Sequence, residues 1–109
     1  LKKIVNWGVI GSGGIARRRT IPEGITKAPH AKLVSVFDID TAVNAEVARE
    51  HDAVAAQSLQ DLLMTDIDVV YVASPVHKHF EHMASCAERK KHIFCEKPLG
   101  LTIEEAEKI

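Results

Sequence analysis

Ile4-Val5-Asn6-Trp7-Gly8-Val9-Ile10-Gly11-Ser12-Gly13-Gly14-Ile15-Ala16 passes from a near-continuous apolar run into three glycines in four residues, and from there into a helical pattern. A run of that kind suits a strand buried on both faces. The glycines that follow permit a tight turn and a close approach by another group, at a cost in backbone entropy that an ordinary strand-to-helix turn has no reason to bear. Gly11 fits the turn itself, Gly13 has no side chain to block a bound group, and Ala16 lets the helix lie close to the strand. Free backbone N–H groups and the positive end of the helix dipole then face whatever occupies the turn, which favours an anion such as a diphosphate.

Outward from this stretch, apolar runs alternate with helical patterns, the signature of a parallel sheet with crossover helices. A helix is expected from about Ile15, short because Pro22 and Gly24 interrupt it, and then a loop. Leu33 to Phe37 reads as the second strand. Asp40 or Thr41 can cap a helix through about Glu50, with Val43 and Val47 on one face. Ala53 to Ala56 is a weak third strand, and Ser58 to Asp61 resembles a capping box before a short helix carrying Leu62 and Leu63. Val69 to Ala73 is a clear fourth strand. From about His77 to Arg89, Phe80, Met83, Ala84 and Ala87 fall on one apolar helix face. His92 to Cys95 makes a fifth strand, and Thr102 to Glu105 opens a further helix. The expected architecture is a doubly wound open parallel α/β sheet in the order 3-2-1-4-5, one domain over the whole 109 residues.

Composition narrows the partners. The apolar fraction is 46% and the formal net charge is -1, so no broad attraction to nucleic acid or an anionic membrane is expected. The apolar stretch at the amino end, broken by Asn6 and Gly8, is too short for a signal peptide or a membrane span, and a cytoplasmic location is expected. Two cysteines, Cys86 and Cys95, are too few for a disulfide framework and fit a reduced setting. Cys86, three residues after Met83, is expected at or near the core, Cys95 part-exposed, and Trp7 in the core.

The glycine pattern G-x-G-x-x-A, placed after a strand and before a helix, is the dinucleotide-binding fingerprint of a Rossmann-type domain. Asp38 ends the second strand, somewhat beyond the usual spacing of about 20 residues after the first glycine; the Pro22–Gly24 interruption accounts for the excess. A carboxylate there accepts hydrogen bonds from adenosine ribose hydroxyls and repels a 2′-phosphate. Asp40 adds negative charge nearby, so NAD is expected over NADP. Arg17-Arg18-Arg19 could approach a phosphate, but consecutive residues point around a helix, and a solvated face is the expectation.

Three motifs in order, Gly11 to Ala16, Ser74-Pro75-Val76-His77-Lys78-His79 and Cys95-Glu96-Lys97-Pro98-Leu99, resemble the Gfo/Idh/MocA oxidoreductase family of inositol dehydrogenases, glucose–fructose oxidoreductase and related sugar and cyclitol enzymes. The resemblance covers the whole chain but only the amino-terminal part of such an enzyme, whose second, larger α/β domain would carry most substrate contacts and the homo-oligomer interface. It implies that Gly11, Ser12, Gly13, Gly14 and Ile15 hold the pyrophosphate and Asp38 the adenosine ribose. It further implies that Ser74, Pro75 and His79 border the nicotinamide half, Glu96 lies beside the nicotinamide ribose, and Lys97 is the catalytic lysine next to the reacting carbon. Ser74 stands where the family pattern has Thr. A cis Lys97–Pro98 bond is also implied.

The chemistry of a lysine at that place stands on its own. Oxidising an alcohol removes a hydride to the nicotinamide and a proton from the hydroxyl, and a positioned lysine can hydrogen-bond the oxygen and take or relay that proton. Partial burial and the positive ring lower its pKa toward a useful range. Pro98 keeps Lys97 out of helical backbone. The expected activity is hydride transfer between NAD and a sugar, cyclitol or related carbohydrate hydroxyl, inactive without the second domain. The rivals are an NAD-assisted glycoside hydrolase, which would regenerate its NAD, and a non-catalytic NAD-sensing module, which would gain nothing from Lys97. His77, His79 and His82 invite a metal, but a closed site wants four converging ligands. No metal is expected; one histidine lining the cofactor and others at the surface is the reading.

Overall fold

The computed structural model describes residues 4–95. Five strands, β1 (Val5–Ile10), β2 (Ala31–Phe37), β3 (Val54–Ala55), β4 (Val69–Val72) and β5 (His92–Cys95), form one parallel sheet in the order β3-β2-β1-β4-β5. This is the doubly wound order expected from the alternation of patterns. β1 lies at the centre, and its register with β2 slips between Trp7 and Gly8, so that Trp7 faces Leu33 while Gly8 faces Ser35.

Alternation along the strands feeds two cores. Val9, Leu33, Val36 and Tyr71 point to one face, where they meet Ala16, Ile21, Ile25, Val47 and Ala48. Ile10, Val70 and Val72 point to the other, against Leu62, Leu63, Ile67, Met83 and Cys86. Side chains at successive strand positions must diverge in this way. A helix α1 (Thr41–His51) covers the first face, with Asp40 rather than Thr41 as its cap: the Asp40 carboxylate accepts from the Val43 amide at 3.2 Å. On the second face lie α2 (Leu59–Leu63), capped by the Ser58 hydroxyl accepting from the Asp61 amide at 3.0 Å, and α3 (Val76–Glu88).

Three expectations are corrected. Pro22 does not end the first helix, which runs through it as a π-helix over Ala16–Gly24 and passes after Gly24 into a 3-10 turn at Ile25–Lys27 instead of a loop. In an α-helix the proline ring meets the carbonyl four residues back; the wider π turn pairs across five and gives the ring room. The Ile25 amide donates to Thr20 O and Ile21 O, and the Thr26 hydroxyl donates to Ile21 O at 3.0 Å. Buried Ala16, Ile21 and Ile25 hold this segment to the sheet across the proline.

The buried stripe of α3 is His79, Met83 and Cys86, one residue around from the expected face; Ala84 and Ala87 are exposed and Phe80 is half-buried. Both stripes have helical spacing. The imidazole goes inward because a backbone carbonyl awaits it there, described below. Trp7 is half-buried rather than in the core. It borders an apolar depression of about 180 Å³ with Tyr71 and Phe94, its ring centroid 6.2 Å from that of Phe94. Phe94 itself is 62% exposed.

Candidate functional site: the crevice at the carboxyl ends of the strands

The chain leaves β1 toward β2, while β4 lies on β1's other side. Where strand order reverses in this way, the turns above the sheet diverge and leave a crevice. Three segments meet there: the turn after β1, Asp38 after β2, and Ala73-Ser74-Pro75 after β4. The fit between the first and third is close. Gly11 has φ +85°, and a Cβ built on it would lie 2.5 Å from Ser74 N and 2.6 Å from the Ala73 carbonyl carbon. No other residue type fits at position 11.

The turn is sewn to β2. The Gly11 and Ser12 amides both donate to Phe37 O, at 2.7 and 3.2 Å, and the Gly13 amide donates to Asp38 Oδ2 at 2.9 Å. A Cβ on Gly13 would meet Val43 Cγ1 at 3.1 Å and Asp38 Oδ2 at 3.3 Å, so this glycine makes room for β2 and α1. Gly14 differs: it is exposed, has φ +63°, and a Cβ there would meet nothing within 4 Å. Gly11, Gly13 and Gly14 of the turn line a cavity of about 460 Å³, whose wall also includes Asp38, Ile39 and Pro75. Ser12 turns away from it, fully buried, with its hydroxyl donating to Asn44 Oδ1 at 2.7 Å. Ile15 is half-buried at the start of the π-helix.

Asp38 uses its second oxygen on the Asp40 amide, at 2.9 Å. An ionised carboxylate has about four acceptor positions, and two are taken here, so Asp38 retains capacity for hydroxyl donors. Arg17 and Arg19 do not approach this carboxylate. Arg17 pairs with Glu50 at 2.8 Å and Glu46 at 3.7 Å, and Arg19 with Glu23 at 3.1 Å, as a solvated face predicts. The Glu50 hydrogen bond raises the Arg17 pKa, and Arg17 lowers that of Glu50.

The loop after β4 is held by two histidines of α3. His79, 1% exposed, donates from Nε2 to Ser74 O at 2.6 Å. His82 is half-buried, its Nδ1 hydrogen-bonded to the Ser74 hydroxyl at 2.6 Å. Burial holds the His82 imidazole below its ordinary value of 6.5, with the Lys78 charge acting the same way and Glu81 opposing. Only His77 of the three sits at the surface, which corrects the expectation for His82. Among the described residues no group of three metal-ligating side chains converges. A second cavity of about 280 Å³, lined by Ser74, His77, His82 and Leu59, shares Gly11, Asp38 and Ile39 with the first. Burial pushes the Cys86 thiol up to about 11, which leaves it protonated and inert.

Glu96, Lys97, Pro98 with its expected cis bond, and the helix expected from Thr102 lie outside the described residues. Asn44 and the His82–Ser74 pair were not anticipated from sequence. Asn44 had a visible signal: it is a polar residue on the same helix face as Val47 and Ala48.

A parallel sheet with a glycine turn after its central strand and a carboxylate after the next defines a dinucleotide-binding α/β domain. The model of the oxidoreductase family with NAD-binding Rossmann fold, GFO_IDH_MocA, matches residues 5–109, and the chain belongs to that Gfo/Idh/MocA family. It is 36% identical over 106 residues to the uncharacterized oxidoreductase YrbE of Bacillus subtilis, covering 95% of this chain and 30% of that protein. It is 32% identical over 106 residues to glucose-6-phosphate 3-dehydrogenase of the same organism, covering 97% and 29%. Among solved structures, the WlbA dehydrogenase from Chromobacterium violaceum, in complex with NADH and UDP-GlcNAcA, superposes with a TM-score of 0.90 at 28% identity, over 98% of this chain and 31% of that one. KijD10, a 3-ketoreductase from Actinomadura kijaniata in complex with NADP and TDP-benzene, gives 0.89 at 26%, over 97% and 33%. The chain thus spans about a third of the length of the proteins it matches. No helix among the described residues is long and apolar enough to cross a membrane.

Proposed function

We propose that this chain is the cofactor-binding domain of an NAD-dependent oxidoreductase that acts on a hydroxyl of a sugar, cyclitol or related carbohydrate, completed by a second, substrate-binding domain. The observation that carries the reading is the glycine turn. Gly11 admits the loop after β4, and Gly14 opens the turn to a cavity walled by Asp38. Its amides, at the start of a helix, suit the diphosphate of a nicotinamide dinucleotide. The free acceptor positions of Asp38 suit an adenosine ribose. Carboxylates at Asp38 and Asp40, with Arg17 and Arg19 bound to acids elsewhere, favour NAD over NADP.

A nicotinamide ring, when bound, supplies the site that takes or gives a hydride. The chain's own residues do the remainder. Pro75, with Ser74 held by His79 and His82, shapes the wall of the crevice on the β4 side. Cys95 pairs in register with Val72, so β5 ends on the same rim as β4. Glu96 and Lys97 follow it directly in sequence, which supports Glu96 beside the nicotinamide ribose and Lys97 at the substrate oxygen. There the lysine hydrogen-bonds the hydroxyl and accepts its proton on oxidation, or returns it on reduction.

Titration of the chain with NADH and NADPH in parallel tests the binding half, and tighter binding of NADH by at least about tenfold is expected from the charge at Asp38. For the chemical half, Lys97→Ala in the full-length protein is expected to lower carbohydrate oxidation by roughly 10²-fold or more while NADH still binds. Unchanged turnover in that variant removes Lys97 from the chemistry.

A further inference from the structure

Asn44 is a polar side chain in a place where α1 otherwise presents Val47 and Ala48 to the core, and it is only 3% exposed. Its amide is fully engaged. Nδ2 donates to Val36 O and to Ala56 O, each at 3.2 Å, and Oδ1 accepts from the Ser12 hydroxyl at 2.7 Å. The orientation follows from the partners, since turning the amide over would set its oxygen against two carbonyl oxygens. One side chain therefore joins β2, the residue after β3 and the glycine turn.

Burying an amide forfeits its hydration, and hydrogen bonds recover that loss with little net gain. An apolar residue would serve the core as well. What the asparagine adds is direction. The other ties on the turn, from Gly11, Ser12 and Gly13, use backbone amides at the end of β2. Among the described residues, the Ser12–Asn44 bond is the tie on the turn made between two side chains, and Ser12 sits between Gly11 and Gly13, both of which line the cavity.

We propose that Asn44 is a positioning residue for the cofactor: through Ser12 it holds the glycine turn at the height and angle that aim the amides from Gly14 onward at a diphosphate. This rests on the cofactor reading given above, and the test separates the two. ADP, which carries a diphosphate, and adenosine, which lacks one, are titrated into the chain well below its melting temperature. Asn44→Ala weakens ADP binding about tenfold, or ~1.4 kcal/mol, and leaves adenosine within about twofold of the parent. Ser12→Ala keeps the Asn44 bonds to Val36 and Ala56, so the fold is secure in it, and ADP weakens about fivefold. The double variant is no worse than Asn44→Ala, because both substitutions cut one link.

If the variants lower the melting temperature but keep the parent's ratio of ADP to adenosine affinity, Asn44 is a core residue and nothing more, and the proposal is overturned while the cofactor reading stands. If the parent chain itself shows no preference for ADP over adenosine, the cofactor reading falls and takes this inference with it.

Discussion

Two turns stand side by side at the rim of the sheet, after β1 and after β4, and they are held by opposite means. The first owes its shape to side chains it lacks: Gly11 and Gly14 sit at positive φ, and Gly11 leaves no space for a Cβ. The second owes its shape to side chains it has. His79 fixes the Ser74 carbonyl, His82 fixes its hydroxyl, and Pro75 restricts the backbone at the start of α3. A turn made of glycine is limited by sterics, which are steep and intolerant. A turn braced by imidazoles is limited by hydrogen bonds, which are shallower and, at His82, respond to pH.

The sharpest way to break the contrast is Gly11→Ala. The new methyl collides with the Ser74 backbone in a conformation that L-residues rarely adopt, so both turns are disturbed together. A loss of more than about 3 kcal/mol is expected, read as loss of the cooperative thermal transition or failure to obtain folded chain. A variant that melts within a few degrees of the parent would show that the two turns are less tightly joined than their geometry implies.

His79→Ala comes next and acts on the second turn. It empties a buried site and strips the Ser74 carbonyl of its donor, at roughly 2–3 kcal/mol. For a domain of this size that is a fall in melting temperature of about 10–20 °C. The crevice on the β4 side should loosen, with faster amide exchange in the segment after β4 than in the glycine turn.

The smallest effect is the pH response of His82. Its folded value is depressed by burial, so the unfolded chain takes up a proton at higher pH than the folded chain does. This group's contribution to stability is whole above the ordinary value of 6.5 and is lost as pH falls below it. Melting temperature should therefore decline between pH 7.5 and 5.5. His82→Asn, whose amide can hydrogen-bond from near the Nδ1 position, should flatten that decline without a large change at pH 7.5. An equal slope in parent and variant would assign the decline to other groups.

Much of this was legible in residue order. The strand before Gly11, the capping residues Asp40 and Ser58 and the order of apolar runs led to the correct sheet. That is because each is a local signal: a period, a cap, a positive-φ requirement. Pro22 misled because helix-breaking is judged against α geometry, and the chain chose a π turn. The face of α3 misled because apolarity was read without its partner: His79 is inward only because Ser74 O is there to receive it. Asn44 was overlooked and His82 was expected at the surface for the same reason, since each acts on a residue that periodicity does not bring to it.

Sequence alone, then, settled the class of fold, the place of the glycine turn and the membership of the chain in its family, because spacing and residue type act over a few neighbours. Which face of α3 is buried, which oxygen Asp38 gives to Gly13, and which buried amide steadies Ser12 were decided only when β1, β2 and β4 came together. Hydrogen bonds between distant segments depend on three-dimensional approach, and no periodicity along the chain records it.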